Sequence, residues 1–387
     1  MADQPDIVER TPIRAVVAGN RLEVIDRGDA RLRALLDLIA GARTRLHVLM
    51  YMFNADEAGD AVRNALDAAA CRGVDVKLLI DGFGSAAPHP FLNVLKRSGG
   101  DYCIFNPTFG RRYLVRNHQK IIVADDRVAI IGGANIDETY LTDSGPEHWR
   151  DLWLRIEGPE AAVASLYCSS LFRWAKRKHS SLRSLRRMTG KYSEFRGPLQ
   201  WKFSGPLSLR NSWWRSIGRD SRRARKLEMI FAYFAPTGAM LRRIGSVARR
   251  GKARLIMAAK SDNMATIAAA RHSYGRLLRR HVEIHEYLPA KLHTKLAIVD
   301  DIVYLGSSNF DYRSFYLNLE VMLRIEDSGF ATAMRSYFER ELVDSRPITP
   351  RLYRRRATVW RRIKWALSHF LVNVLDYTVT RRLNIRA

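Results

Sequence analysis

The pattern His-x-Lys-x-x-x-x-Asp occurs twice, as His118, Lys120 and Asp125 and again as His293, Lys295 and Asp300, 175 residues apart. Each copy is followed by a turn of small residues ending in Asn, Gly132-Gly133-Ala134-Asn135 and Gly306-Ser307-Ser308-Asn309. An imidazole held at one ring nitrogen can attack phosphorus through the other, and a second imidazole can protonate the departing oxygen. The doubled pattern therefore suits a two-step displacement on a phosphodiester through a phospho-histidine, with no metal or organic cofactor called for. On an extended strand Lys120 and Lys295, two positions on, share the face of their histidines. Their ammonium groups and the amides of Asn135 and Asn309 are expected at the nonbridging oxygens, where negative charge builds. Ser307 and Gly133 hold the matching phosphate-binding position of the two turns, so the first half has one donor fewer. Asp125 and Asp300 lie an odd number of positions from their lysines and face away, which marks them as structural.

Each histidine also needs an acceptor on its far nitrogen to fix the tautomer. Two acids in apolar surroundings suit that role. One is Asp151, 33 residues past His118 in Trp149-Arg150-Asp151, and the other is Glu320, 27 past His293 in Asn318-Leu319-Glu320. His47, His89, His148, His179, His272, His281, His285 and His369 have no repeated partner and read as core or solvated residues. Tyr51 and Tyr233 stand at matching strand ends, where packing is the default role.

The elements that carry these groups repeat as well. In the first half a helical pattern through Leu32, Leu35 and Ile39 leads to the apolar run Leu46–Phe53, then to a helix with Val62 and Leu66 on one face and the strand Val74–Ile80. In the second, a helix near Trp214 precedes Met229–Phe234, a helix from Met240 to Ala248 and the strand Ala253–Met257. Alternating strands and helices predict an α/β fold with helices on both faces of each sheet, the two halves forming a pseudo-dimer around one site. The expected divisions are residues 1–172, a basic linker 173–210, a second domain 211–345, and a basic amphipathic tail 346–387.

The net charge of +26 is concentrated: residues 173–226 hold 17 Lys and Arg against two acids, and residues 346–387 hold 11 against one. Such segments favour anionic partners, a phospholipid surface or nucleic acid. In the tail, Trp360, Ile363, Leu367, Phe370, Leu371 and Val374 share a helical face behind Arg354-Arg355-Arg356, a pattern that fits a helix at a membrane surface or one packed on the second domain. Three scattered cysteines suggest neither a disulfide framework nor a zinc site. The first residues carry no basic region followed by an apolar stretch, so no secretory signal is expected, and no apolar run has the length of a membrane span.

These stretches resemble the phospholipase D superfamily, whose signature is the duplicated His-Lys-Asp motif with its Gly/Ser/Asn turn. More narrowly, Asp81-Gly82-Phe83-Gly84-Ser85, Trp149-Arg150-Asp151, Tyr233-Phe234-Ala235-Pro236 and the run from Gly306 through Ser314 to Asn318 and Glu320 are similar to bacterial cardiolipin synthases, in a short form without N-terminal membrane segments. The resemblance covers about residues 15–345. It implies two phospholipase D-like α-β-α sandwich domains and transfer of a phosphatidyl group from one phosphatidylglycerol to another, with His118 as nucleophile and His293 as general acid/base. It further implies a peripheral enzyme at the cytoplasmic face of the bacterial inner membrane, with anionic phospholipid as partner and nucleic acid not expected. Hydrolysis to phosphatidic acid, and cleavage of nucleic acid, use the same groups and stay open.

Overall fold

The computed structural model describes residues 12–85, 89–105, 115–145, 147–177, 180–194, 196–206 and 211–374, and shows two eight-stranded mixed sheets. His179, residues 207–210 of the expected linker and residues 375–387 of the expected tail lie outside the described residues, as does the side chain of His89.

The first sheet runs, edge to edge, Arg14–Val17, Asn20–Ile25, Trp153–Glu157, Val128–Gly132, Ile121–Ala124, Arg45–Met50, Asp75–Asp81 and Asp101–Phe105. The second runs Leu199–Ser204, Glu320–Glu326, Ile302–Gly306, Lys295–Val299, Lys226–Phe231, Lys252–Ala258, Glu283–Tyr287 and Ser345–Pro347. Seven strands correspond one to one, and each sheet adds one strand of its own at opposite edges. Within these two sheets the parallel pairs are those joined through crossover helices, Arg45–Met50 with Asp75–Asp81 and Lys226–Phe231 with Lys252–Ala258 among them.

This correspondence corrects the expected linker. Leu199–Ser204 pairs antiparallel with Glu320–Glu326 and is the counterpart of Asn20–Ile25, so the second repeat begins inside the 173–210 stretch. Leu199, Trp201 and Phe203 point to one side and are buried in the core, which is what places this segment in the sheet. Helix Leu182–Tyr192 occupies another part of the stretch.

The motif strands are apolar on both sides, through Ile121–Ala124 in the first sheet and through residues 296–299 in the second, because both faces are covered. Ile121 and Val123 face one cluster, while Ile122 and Ala124 face the helices Gly28–Gly41 and Glu57–Cys71. Leu296 and Ile298 likewise join the first cluster, whereas Ala297 and Val299 meet the helices Ser212–Asp220, Gly238–Arg250 and Met264–Leu278. That first cluster contains inner-face residues of both sheets together with Tyr167 and Leu171 of helix Glu160–Lys176 and Met334 and Phe338 of helix Ser328–Val343. The two halves therefore share one continuous core. No helix among the described residues is long and apolar enough to cross a membrane.

Candidate active site

The backbone just ahead of each histidine pairs with the opposite half. Asn117 bridges Leu319, with the His118 amide donating to the Leu319 carbonyl at 3.0 Å and the Leu319 amide to that of Arg116 at 2.8 Å. In the second half, Lys291–Leu292 pairs with Trp149–Arg150 and the His293 amide donates to the Arg150 carbonyl at 2.8 Å. His118 and Lys120 therefore precede the strand Ile121–Ala124 rather than lying in it, and His293 precedes Lys295–Val299. The expected strand register is corrected to that extent: the backbone at each histidine is committed to the cross-connection instead of the sheet. The lysines turn back, Lys120 Nζ donating to the His118 carbonyl at 2.8 Å and Lys295 Nζ to that of His293.

The acids are crossed too. His118 Nδ1 lies 3.0 Å from the Glu320 carboxylate, and His293 Nδ1 lies 2.6 Å from Asp151 Oδ2. Counting along the sequence sets each acid after the histidine of its own half, yet each serves the histidine of the other. A carboxylate acceptor holds the proton on Nδ1 and leaves the Nε2 lone pair for chemistry. Both acids are fully buried.

Gly133 and Ser307 explain how two different acids fit one geometry. A Cβ on Gly133 would lie 2.5 Å from Asp151 Oδ1, so glycine leaves the space that this carboxylate fills. Ser307 instead donates its hydroxyl to Glu320 Oε2 at 2.5 Å and accepts from the Val321 amide at 3.1 Å. Both positions thus contact the acids that orient the histidines. Asn135 and Asn309 are buried, and Asn135 Oδ1 and both amide atoms of Asn309 have no hydrogen-bond partner among the described residues. Unpaired buried amides are costly unless a ligand completes them.

Burial sets the electrostatics. Removal from water, with Lys295 nearby, brings Lys120 down to about 7, and the same burial brings Lys295 to about 8. Burial together with Lys295 and Lys120 holds His293 near 3. Glu320 is pushed up to about 8 by burial, against the pull of Lys120. Asp151, although burial opposes it, is held below the usual carboxylate range by Lys295, His293 and Arg31. Basic groups gathered from both halves are thus held below their ordinary values, chiefly by burial.

Asp125 and Asp300 lie outside this cluster. Each sits at a positive φ, 52° and 47°, and accepts from backbone amides that start the adjacent strand: Thr44 at 2.7 Å and Arg45 at 3.0 Å for Asp125, Lys226 at 2.8 Å for Asp300.

Several supporting residues lie outside the duplicated motif. Arg31 is fully buried and donates to the carbonyls of Tyr140 at 2.7 Å and Asp151 at 2.7 Å, clamping the segment that carries the acid. Arg150 joins Asp26 at 3.0 Å and Glu341 at 2.5 Å, tying that segment to helix Ser328–Val343 of the second half. Asp81 ends its strand and also accepts from the amides of Asn117 at 2.8 Å and Phe83 at 2.9 Å, and burial pushes it up to about 6. Aromatic rings wall the histidines: Tyr51 at 4.8 Å from His118, and Tyr140, Trp149 and Tyr233 at 5.0, 5.3 and 6.1 Å from His293. The equivalence of Tyr51 and Tyr233 is visible in the repeat; Tyr140 and Trp149 have no such sign.

The family described as "Cardiolipin synthase, PLD-like domain" matches residues 35–165 and 221–342. The chain is similar to cardiolipin synthase B of Salmonella typhimurium, 31% identical over 91% of this chain and 88% of that protein. It is also similar to the major cardiolipin synthase of Bacillus subtilis, 30% identical over 92% of this chain and 76% of that one. Among solved structures, a phosphatidylserine synthase from Haemophilus influenzae superposes with a TM-score of 0.73, at 17% identity over 94% of this chain and 97% of that one, a likeness of fold.

Proposed function

Because the chain belongs to the cardiolipin synthase family of phospholipase D-like enzymes, we propose that it makes cardiolipin by moving a phosphatidyl group from one phosphatidylglycerol to the glycerol hydroxyl of a second. The crossed pairing of His118 with Glu320 and His293 with Asp151 carries this reading, since it joins two half-motifs into one phosphodiester site.

In the first step His118 Nε2 attacks phosphorus, the bond from phosphorus to the departing glycerol oxygen breaks, and His293 gives that oxygen its Nε2 proton. In the second, His293 takes the proton of the incoming hydroxyl as its oxygen attacks, and the phosphorus–nitrogen bond breaks. Lys120, Lys295, Asn135 and Asn309 bind the nonbridging oxygens in both steps. The unequal acids support this division of labour. Asp151 stays ionised and stabilises an imidazolium at His293, the member that must carry a proton, whereas Glu320, pushed up by burial, must be in its carboxylate form to accept the His118 Nδ1 proton and free Nε2. Bound phosphodiester charge offsets Lys295 and Lys120, which lifts His293 toward the range where it can serve as an acid. The chain works peripherally at the cytoplasmic face of the bacterial inner membrane, with anionic phospholipid as its partner.

The purified chain incubated with phosphatidylglycerol vesicles is expected to release cardiolipin and glycerol. Phosphatidic acid as the main product would identify a hydrolase, and cleaved DNA without a lipid product would sink the lipid reading. His118→Ala and His293→Ala are each expected to abolish turnover while leaving the circular dichroism unchanged.

A further inference from the structure

The C-terminal helix, Val359–Val374, has two apolar faces, of which the fold uses one. Trp365 and Val372 are buried, Trp365 beside Tyr353 at a ring separation of 5.9 Å and Val372 among Ala235 and Ala269. The other face is open: Trp360 is 81% exposed, Ile363 54%, Leu367 56% and Phe370 60%. At about 100° per residue these four fall in one stripe on the side roughly opposite the buried residues, with Arg362 and Lys364 at its two borders. Arg354, Arg355 and Arg361 are exposed nearby, and the first turns, residues 359–364, are exposed at every position.

The packed face fixes where the open face stands. It lies along helix Met264–Leu278, and His369 donates to the Pro236 carbonyl, three residues after Tyr233, whose ring is 6.1 Å from His293. The helix is thus joined through one short loop to a wall of the active site.

We propose that the stripe Trp360, Ile363, Leu367 and Phe370 docks on an anionic phospholipid surface, its bordering cations on the headgroups and its side chains in the interface below them. An apolar stripe edged by Arg and Lys matches such a surface in both respects. A second copy of the chain meets it poorly, because a two-fold contact would set these cations against themselves. Docking there holds the Tyr233–Pro236 loop close to the bilayer, so a lipid need travel only a short way to reach His293. The choice of lipid rests on the phosphatidyl transfer proposed above, but docking is measurable without turnover.

The test uses the full chain and a variant carrying Trp360→Ser, Ile363→Ser, Leu367→Ser and Phe370→Ser, sedimented with phosphatidylcholine vesicles with or without phosphatidylglycerol. The wild type is expected to bind the anionic vesicles and the variant to bind them at least about tenfold more weakly, four interfacial side chains having been removed. Both are expected to turn over detergent-dispersed phosphatidylglycerol equally, since none of the four lies in the site. Unchanged vesicle binding by the variant overturns the proposal. So does a wild-type dimer that the substitutions convert to monomer without loss of vesicle binding, which would assign the stripe to a second copy. Stripe-dependent binding by a wild type that forms no lipid product upholds the docking surface and refutes the activity.

Discussion

A single side chain decides whether each acid can reach its histidine. The two turns are equivalent in the repeat, yet one carries Gly133 against Asp151 and the other Ser307 bonded to Glu320. A shorter acid with no room to spare and a longer acid with a donor behind it are two solutions to one placement problem. Gly133→Ser therefore forces Asp151 off His293 and is expected to lower kcat ~10- to 100-fold, the usual range for losing such a support. Ser307→Ala, which removes a donor but adds no bulk, is expected to cost less. Steady-state kinetics of the two variants decide the matter: equal losses, or none at Gly133→Ser, would sink this account. The six motif side chains are legible in the sequence through their repeated spacing, and the two acids through their apolar surroundings. Which acid serves which histidine is not. Spacing along the chain ranks neighbours by order, and the crossing depends on the Asn117–Leu319 and Lys291–Trp149 pairings between halves.

Elements set these side chains through their backbone ends. Helix Gly28–Gly41 contributes Arg31, whose guanidinium bridges the carbonyls of Tyr140 and Asp151 inside the core and draws the acid-bearing segment against the first sheet. Nothing in the helix's apolar pattern signals this role, since an arginine in an amphipathic helix reads as surface. Arg31→Met is expected to cost about 3 kcal/mol of stability, because buried carbonyls lose a charged donor. Urea unfolding measures that loss, and a change within error of zero would show that the clamp is dispensable. The strand Leu199–Ser204 presents the opposite case. Its alternation of Leu199, Trp201 and Phe203 is a legible edge-strand signal, but it sits among Arg, Lys, Gly and Pro, a composition that reads as linker. Lys202 satisfies the polar side by donating to the Glu194 carbonyl and to Gln200 Oε1, so a buried cation is accommodated where the composition suggests solvent.

At the scale of the whole molecule, duplication supplies two copies of a seven-stranded unit and of the motif, but one site. The shared core between the sheets and the Arg150 link to Glu341 hold the halves in one arrangement, and each histidine is complete only with the other half's acid. Two independent sites would each need a nucleophile and a proton donor, whereas each half has a single histidine in its motif. Covalent stoichiometry follows from this. Enzyme quenched in denaturant at neutral to mildly alkaline pH, where a phosphorus–nitrogen bond survives, and taken during turnover of phosphatidylglycerol is expected to carry at most one phosphatidyl group per chain by intact mass, and peptide mapping is expected to place it on His118. His293→Ala, unable to take the proton of the second alcohol, is expected to retain any adduct that it forms for longer than the wild type. Two adducts on one chain would break the single-site account. One adduct on His293 would keep the shared site and reverse the roles, making Asp151 the acid that orients the nucleophile and Glu320, with its raised carboxyl, the partner of the proton carrier.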